Sequence, residues 1–313
     1  MEERSIRTTL VCGFLDAGKT SYIQDCIFHD FFHKRGTTLI LVFEEGECEY
    51  DRAALRKYRT EVAVCEGGED ITAFCLAQIG KHAPDRVYVE MNAMTEGLRD
   101  KLPACLKIVY TVTLADGTTL DLYLKNMRQL MQNMVSVSDV VQFNRVPRRE
   151  MLDPYSQLFR LMNRRASYLW EAPQGYHEKA FDLFVPYDLD RPVLEIGERE
   201  YIPFVLDAAA HPEHYDGKEI RLTAQTAYTE QADGADVFLG RTVMTCCLAD
   251  LQFLGVPADG ITQERFAAYG WAAVKALGTL KKDRYGLPRL RLIVREAEAV
   301  PAPEKLMLQA SDL

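Results

Sequence analysis

Residues Gly13-Phe14-Leu15-Asp16-Ala17-Gly18-Lys19-Thr20 complete a G-x-x-x-x-G-K-[ST] pattern, and their reading decides the fold of the first half of the chain. The two glycines let the backbone wrap round phosphate groups. Successive N–H groups, and the N-terminus of a following helix, then point at one anion. In such a loop Lys19 reaches the β- and γ-phosphates of a nucleoside triphosphate, and the Thr20 hydroxyl sits on Mg²⁺. The flanks match this use. Thr8-Thr9-Leu10-Val11-Cys12 is an apolar strand candidate, and a helical pattern runs from Lys19 to about Phe32. Strand, loop and helix in that order is the setting the motif needs, and it argues against a glycine-rich turn arisen by chance.

Outward from the loop, apolar runs alternate with helical stretches. Strands are expected at 37–43, 61–65, 86–90, 106–113 and 139–144, and helices at 51–59, 70–82, 120–134 and 148–167. The alternation predicts an α/β fold with a mostly parallel sheet and helices on both faces. The strands are near-continuously apolar, as strands buried on both sides are. The pattern changes after Trp170. From about Phe181 short strand-like runs at 219–229, 236–245, 271–280 and 290–297 are separated by Gly, Pro and Asp turns, with one helix candidate at 263–268. This predicts a small OB-like β-barrel. The expected division is a nucleotide-binding domain over 1–170, a linker over 171–200 with a hinge at 171–175, and a β domain over 201–313.

Composition narrows the class. The chain has 313 residues, 48% apolar and 27% charged, enough for two ordinary soluble cores. Its longest apolar run, 39–43, is far too short to span a bilayer, so no direct membrane insertion is expected. Met1-Glu2-Glu3-Arg4 is no signal peptide, so a cytoplasmic location and eight reduced cysteines are expected. A net charge of −9 without a long basic run argues against nucleic acid as a partner.

A nucleotide-hydrolysing site needs an acid near the magnesium and an element that reads the base. Glu90, at the expected end of the strand 86–90, stands where such an acid would sit; the competing reading is a surface carboxylate. Asn144 is expected to end the strand 139–144. In GTP-binding proteins an Asn-Lys-x-Asp there reads guanine, the Asp accepting from the ring N–H and the exocyclic amine. Here the stretch is Asn144-Arg145-Val146-Pro147. Without the carboxylate, guanine selectivity loses its main physical source.

Four blocks in order over residues 8–147 resemble the CobW-like P-loop GTPases, a family of metallochaperones and metal-insertion factors. Gly13 to Ser21 resembles its Gly-Phe-Leu-Gly-Ala-Gly-Lys-Thr-Thr. Phe43 to Asp51 resembles Asn-Glu-Phe-Gly-Glu-x-x-x-Asp, Val89-Glu90-Met91-Asn92-Ala93-Met94 resembles Ile-Glu-Thr-Thr-Gly-Leu, and Ser138 to Arg145 resembles Ala-Asp-x-Ile-Val-Leu-Asn-Lys. The resemblance implies GTP, or ATP, with Mg²⁺. Gly13, Asp16, Ala17, Gly18, Lys19, Thr20, Ser21, Asn144 and Arg145 would bind nucleotide, Thr20 and Glu90 the magnesium, and Lys19 and Glu90 would carry catalysis. The departures matter as much. The family's Cys-x-Cys-Cys metal motif is reduced to Cys65. One thiolate cannot hold a tetrahedral metal. Either Cys48 and Glu44 complete a mixed zinc site with Cys65, or Cys65 is a small buried hydrophobe. Ala93 replaces a glycine whose N–H would meet the γ-phosphate. Asp16 replaces a loop glycine and would repel phosphate unless it points outward. These changes weigh against fast hydrolysis and leave phosphate binding intact.

In the second half, Arg241-Thr242-Val243-Met244-Thr245-Cys246-Cys247-Leu248-Ala249-Asp250 stands out. Residues 205–303 resemble the C-terminal domain of the YcgQ-like permease-subunit family, with its Gly-Lys, Arg-Phe-x-x-Thr-Cys-Cys-x-Ala-Asp and Trp-Val-x-Val-x-Gly blocks. The resemblance implies an OB-like barrel associated with metal handling. Cys246 and Cys247 are either zinc ligands or core packing. His211 and His214, at i and i+3, would share a face on a helical turn, and they read best as surface residues of that turn.

Three functions follow. The first is a nucleotide-gated, GTP-binding metallochaperone in zinc homeostasis that hands metal to a receiving protein. The second is a catalytically degenerate nucleotide-binding partner of a membrane permease. The third, a small-molecule kinase, would need an acceptor pocket that the sequence does not reveal.

Overall fold

A computed structural model describes residues 5–29, 36–43, 46, 48–95, 97–182, 184–231, 234–245, 248–283 and 285–309. In chain order its elements begin β1 (Ile6–Gly13), α1 (Lys19–Phe28), β2 (Thr38–Val42), α2 (Arg52–Lys57), β3 (Thr60–Val64), α3 (Ile71–His82), β4 (Arg86–Asn92) and α4 (Leu98–Lys101). They continue with β5 (Leu106–Asp116), α5 (Leu120–Asn126), α6 (Arg128–Ser136), β6 (Val140–Asn144), α7 (Ser156–Met162), β7 (Ser167–Glu171), β8 (His177–Lys179) and β9 (Val193–Ile196). Last come α8 (Glu198–Ala210), β10 (Glu219–Gln231), β11 (Gly234–Met244), β12 (Gln252–Asp259), β13 (Trp271–Lys282), β14 (Pro288–Ala299) and β15 (Met307–Gln309).

The chain forms two compact units. The first holds residues 1–153 and 165–181, the second 154–164 and 182–313. The first is an α/β sheet in the order β3-β2-β4-β1-β5-β6-β7-β8. Every pairing is parallel except β7 with β8, so the C-terminal strand ends share one edge, where ligands bind in open α/β sheets. All five residues of β2, Thr-Leu-Ile-Leu-Val, are buried, as a strand covered on both faces requires. Val11, Ile23, Ile40, Leu55, Val112 and Leu114 belong to one core that fixes α1 against the central strands.

The second unit is a five-stranded barrel. Its ring runs β10-β11-β12-β14-β13 and returns to β10. β10 closes it by pairing with β13 through Glu219 to Gln225 and with β11 through Gln225 to Gln231. The β12–β14 seam is thin, a parallel contact at Ala258 and Asp259. β9 and β15 extend the ring at β10 and β11. Helix α8 packs its apolar residues, including Tyr201, Phe204 and Val205, into the barrel core.

Several sequence expectations change. The strand holding Glu90 continues two residues further, so Glu90 lies within β4. The helix expected over 120–134 breaks at Met127 (φ −135°, ψ 36°) into α5 and α6. The helix expected over 148–167 is a 3₁₀ stretch at Arg149–Tyr155 followed by α7, because Pro154 cannot donate to a helical ladder. Residues 263–268 form a turn, with Thr262 O accepting from Arg265 and Phe266 N–H. Segment 171–175 is the turn of the β7–β8 hairpin, closed by Ala172 N–H to Tyr176 O, and Gly175 (φ +84°) makes the reversal. The stretch 171–200 carries β8 and β9 and begins α8. Helix α8 and strand β12 were not foreseen. Pro203 interrupts the helical signal of α8, and Gly255 and Pro257 interrupt the strand signal of β12.

Candidate functional site

The phosphate loop spans the end of β1 and the start of α1. Gly18, the N-cap of α1, has φ +90°, and a Cβ there would lie 2.8 Å from Asn144 Nδ2. Both the backbone angle and the space therefore demand glycine. Lys19 is buried, and its Nζ donates to Phe14 O (2.8 Å) and Gly13 O (3.3 Å), so its charge sits inside the loop. Phe14 is held from the other side by a stacked Tyr123 ring at 3.7 Å. Asp16 also takes a left-handed conformation (φ +55°), which Asp tolerates better than most residues, so it can occupy a position where the resembling family has glycine. Its side chain is exposed, and a Cβ on Gly46 would come within 2.8 Å of its Oδ1. Ala17 is buried, and its carbonyl accepts from Asn144.

The end where magnesium is expected joins three side chains from distant sequence. Thr20 Oγ1 donates to Glu90 Oε1 at 3.0 Å, and the Tyr50 hydroxyl donates to Glu90 Oε2 in a short bond. Glu90 is 3% exposed, so this carboxylate belongs to the interior rather than the surface. Burial first, and then the Glu90 carboxylate, push the Tyr50 phenol well above its ordinary range, which keeps it a donor. A cavity of about 140 Å³ opens here, lined by Lys19, Thr20, Ser21, Glu90 and Arg145 among others. A hydroxyl, a buried carboxylate and a lysine converging on one small cavity form a donor set suited to a magnesium-bound phosphate.

The end where the base is expected is built differently. Asn144 Nδ2 donates to Ala17 O at 2.8 Å, tying β6 to the loop, while Asn144 Oδ1 is buried and has no hydrogen-bond partner among the described residues. Arg145 (φ +52°) donates to Asp16 O at 2.8 Å and makes a short ion pair with Asp116, at the end of β5. Asp116 Oδ1 in turn accepts from Thr118 N–H and its hydroxyl. Pro147 is exposed. A cavity of about 620 Å³ runs along α1, bordered by Asn144, Arg145, Asp25 and Glu171; Glu171 accepts from Gln142 Nε2 at 3.0 Å.

Ala93 keeps a negative φ and donates its N–H to Gly13 O at 3.2 Å, so the replacement of glycine costs no backbone strain and ties β4's end to the loop. Ser21 Oγ lies 3.7 Å from Cys48 Sγ. Cys48 is exposed and Cys65 half-buried at the end of β3; burial, then the Glu69 carboxylate, raise the Cys65 thiol. No group of three metal-ligating side chains among the described residues includes either cysteine. Glu44, Cys246 and Cys247 lie outside the described residues. Two marked residues of the second unit do meet: the Arg241 guanidinium, almost fully buried, lies 5.1 Å from the Trp271 ring centre and donates to Lys305 O. Asp250 Oδ1 accepts from Thr245 N–H at 3.0 Å.

Residues 174–306 match the family described as the DUF1980 C-terminal domain. That match starts inside the β7–β8 hairpin and takes in β9, α8 and the barrel. No curated protein matches the chain. Among solved structures, the chain is similar to the hydrogenase maturation factor HypB from Archaeoglobus fulgidus, at 14% identity over 55% of this chain and 84% of that one, with a TM-score of 0.40. It is also similar to the signal recognition particle receptor FtsY from Elizabethkingia anophelis, at 12% identity over 46% and 51%, with a TM-score of 0.31. No helix among the described residues is long and apolar enough to cross a membrane.

Sequence reasoning missed Tyr50, Asp116 and Gly117. Tyr50 lay inside a block already singled out, one residue before Asp51, the N-cap of α2. Gly117 carried the local turn signal of Asp116-Gly117, but its close packing appears only in three dimensions, where a Cβ would meet Val146 Cγ2 at 2.2 Å.

Proposed function

We propose that the first unit binds a nucleoside triphosphate with Mg²⁺ and that binding governs a metal-handling role, as a CobW-like, GTP-binding metallochaperone of zinc homeostasis would. The observation that carries the proposal is the convergence of Lys19, Thr20 and Glu90 on one cavity at the mouth of the loop. Gly13, Asp16, Ala17, Gly18, Lys19, Thr20 and Ser21 would receive the phosphates. Thr20 and Glu90 would hold the magnesium, and Asn144 and Arg145 would lie toward the base. The metal ion supplies charge neutralisation at the phosphates. The chain's own part is to fix the oxygens around it, and Tyr50 does so by holding Glu90 in place. Such a protein would act in the cytoplasm and pass zinc to a receiving partner.

Calorimetry with GTP and with ATP, each with and without Zn²⁺, tests nucleotide identity and coupling together. Zinc affinity that is the same with and without a nonhydrolysable triphosphate would remove the coupling.

A second function, a nucleotide-binding regulatory partner of a membrane permease without useful turnover, is favoured by Ala93. Its N–H is engaged by Gly13 O rather than held open for a phosphate. Phosphate release that depends on Lys19 would reject this alternative; release equal to that of Lys19→Ala would support it.

A further inference from the structure

The stretch His211-Pro212-Glu213-His214 follows α8 in the second unit. It forms a 3₁₀ turn, Pro212–Tyr215, whose N-cap is His211. In a 3₁₀ turn residues i and i+3 eclipse one another. The imidazoles of His211 and His214 accordingly stack, with ring centres 5.0 Å apart and planes 21° from parallel. Pro212 fixes the first φ of the turn, and His214 N–H donates to His211 O at 3.1 Å. Glu213 Oε1 lies 3.4 Å from His211 Nδ1. Ligand atoms of all three residues lie within 4.8 Å of one another.

A half-exposed pair of histidines beside a glutamate would by itself say little. The independent observation lies beneath it. Asp207, 3% exposed, sits on α8 with its Oδ2 2.8 Å from His214 Nδ1 and 2.9 Å from the Tyr215 hydroxyl. The carboxylate accepts, so Nδ1 carries the proton and Nε2 of the neutral ring keeps its lone pair. Tyr215 is fixed in turn by the Tyr187 hydroxyl at 2.7 Å. A buried carboxylate that sets the tautomer and orientation of an imidazole is the support that metal-binding histidines recurrently have. Here the supported ring stands beside a second imidazole and a carboxylate.

We propose that His211, Glu213 and His214 bind one divalent transition-metal ion of the zinc class, with Asp207 as the positioning residue for His214. Two imidazoles and a carboxylate suit Zn²⁺ and Co²⁺ and do not suit Mg²⁺ or Ca²⁺. Tetrahedral coordination at zinc distances puts ligand atoms about 3.4 Å apart. Metal binding through His214 Nε2 would draw the half-exposed His211 and the exposed Glu213 to that spacing, with Asp207 holding His214 in place. Three protein ligands leave a fourth position open, as suits an ion that exchanges with a partner. The site deepens the metal half of the proposed function and needs nothing from the nucleotide half.

The test is Zn²⁺ titration of the nucleotide-free full-length protein against a competing chromophoric chelator, with Co²⁺ visible spectra and histidine-ring NMR as second readouts. His211→Ala and the double variant His211→Ala/His214→Ala are expected to lose one zinc equivalent. Asp207→Asn is expected to keep the ligands and weaken binding about 10- to 100-fold. In the wild type, zinc is expected to perturb the ring signals that vanish in the two histidine variants, and Mg²⁺ to leave them unmoved. Should Asp207→Asn unfold, His211→Ala, at a half-exposed position, decides alone. The same zinc stoichiometry and affinity in the wild type and the double histidine variant would overturn the proposal, as would a wild type whose histidine signals ignore zinc. Because no nucleotide is present, failure of nucleotide binding leaves this result unaffected.

Discussion

The two ends of the cleft proposed to hold a nucleotide are built to different standards. At the phosphate end Lys19, Thr20 and Glu90 are buried and hydrogen-bonded, with Tyr50 closing the set from another segment. At the base end Asn144 keeps a buried oxygen without a partner among the described residues, Arg145 is committed to Asp116, and Pro147 stands where a guanine-reading carboxylate is expected. On the proposed function, the contrast makes gripping a triphosphate and choosing its base separable properties of one fold. The first needs a loop, a lysine and a metal-side acid. The second needs one further carboxylate at one further position.

Lys19→Ala tests the contrast most severely. Removing a charge-assisted donor is worth about 1.5–3 kcal/mol, so triphosphate affinity is expected to fall on the order of 10- to 100-fold by calorimetry, equally for GTP and ATP. An unequal loss would show that the two ends are coupled. Next is Tyr50→Phe, which leaves a buried Glu90 oxygen without its donor. A loss of about 1–3 kcal/mol is expected in denaturant unfolding of the nucleotide-free protein. No change would mean that water replaces the hydroxyl. Gly18→Ala probes the joint between the ends, since its Cβ would meet Asn144 Nδ2. A left-handed alanine costs about 1–2 kcal/mol, and both stability and binding are expected to fall by that amount. The smallest expected effect belongs to Arg145→Ala, which should leave the GTP-to-ATP affinity ratio within about threefold of the wild-type value, under 1 kcal/mol. A large change there would make Arg145 a base reader and erase the contrast.

How much of this was legible varies along the chain for physical reasons. The strand–loop–helix conformation around 13–20 was readable, because its pattern lies in eight consecutive residues. The parallel sheet was readable because strands such as β2 are buried on both faces and leave no polar alternation to confuse them. Glu90 was found, but its burial was not, since that depends on Thr20 and Tyr50 arriving from elsewhere. The Arg145–Asp116 pair was hidden by the length of β5, which runs on to Asp116 beyond its apolar part. Helix α8 was lost to Pro203, and the support of His214 by Asp207 to a seven-residue separation that only a helix end followed by a 3₁₀ turn can close.

The position of Lys19 has a kinetic consequence. Its ammonium is already drawn in, with carbonyls of its own loop serving as stand-in acceptors. Most of its rotamer freedom is therefore lost when the chain folds, before any anion arrives. If the loop binds phosphate as proposed, the incoming anion would exchange acceptors on an ordered cation, with no mobile side chain to recruit from solvent. Association should then be set by how fast the anion reaches the loop, and differences in affinity among phosphate ligands should appear chiefly in how slowly each leaves.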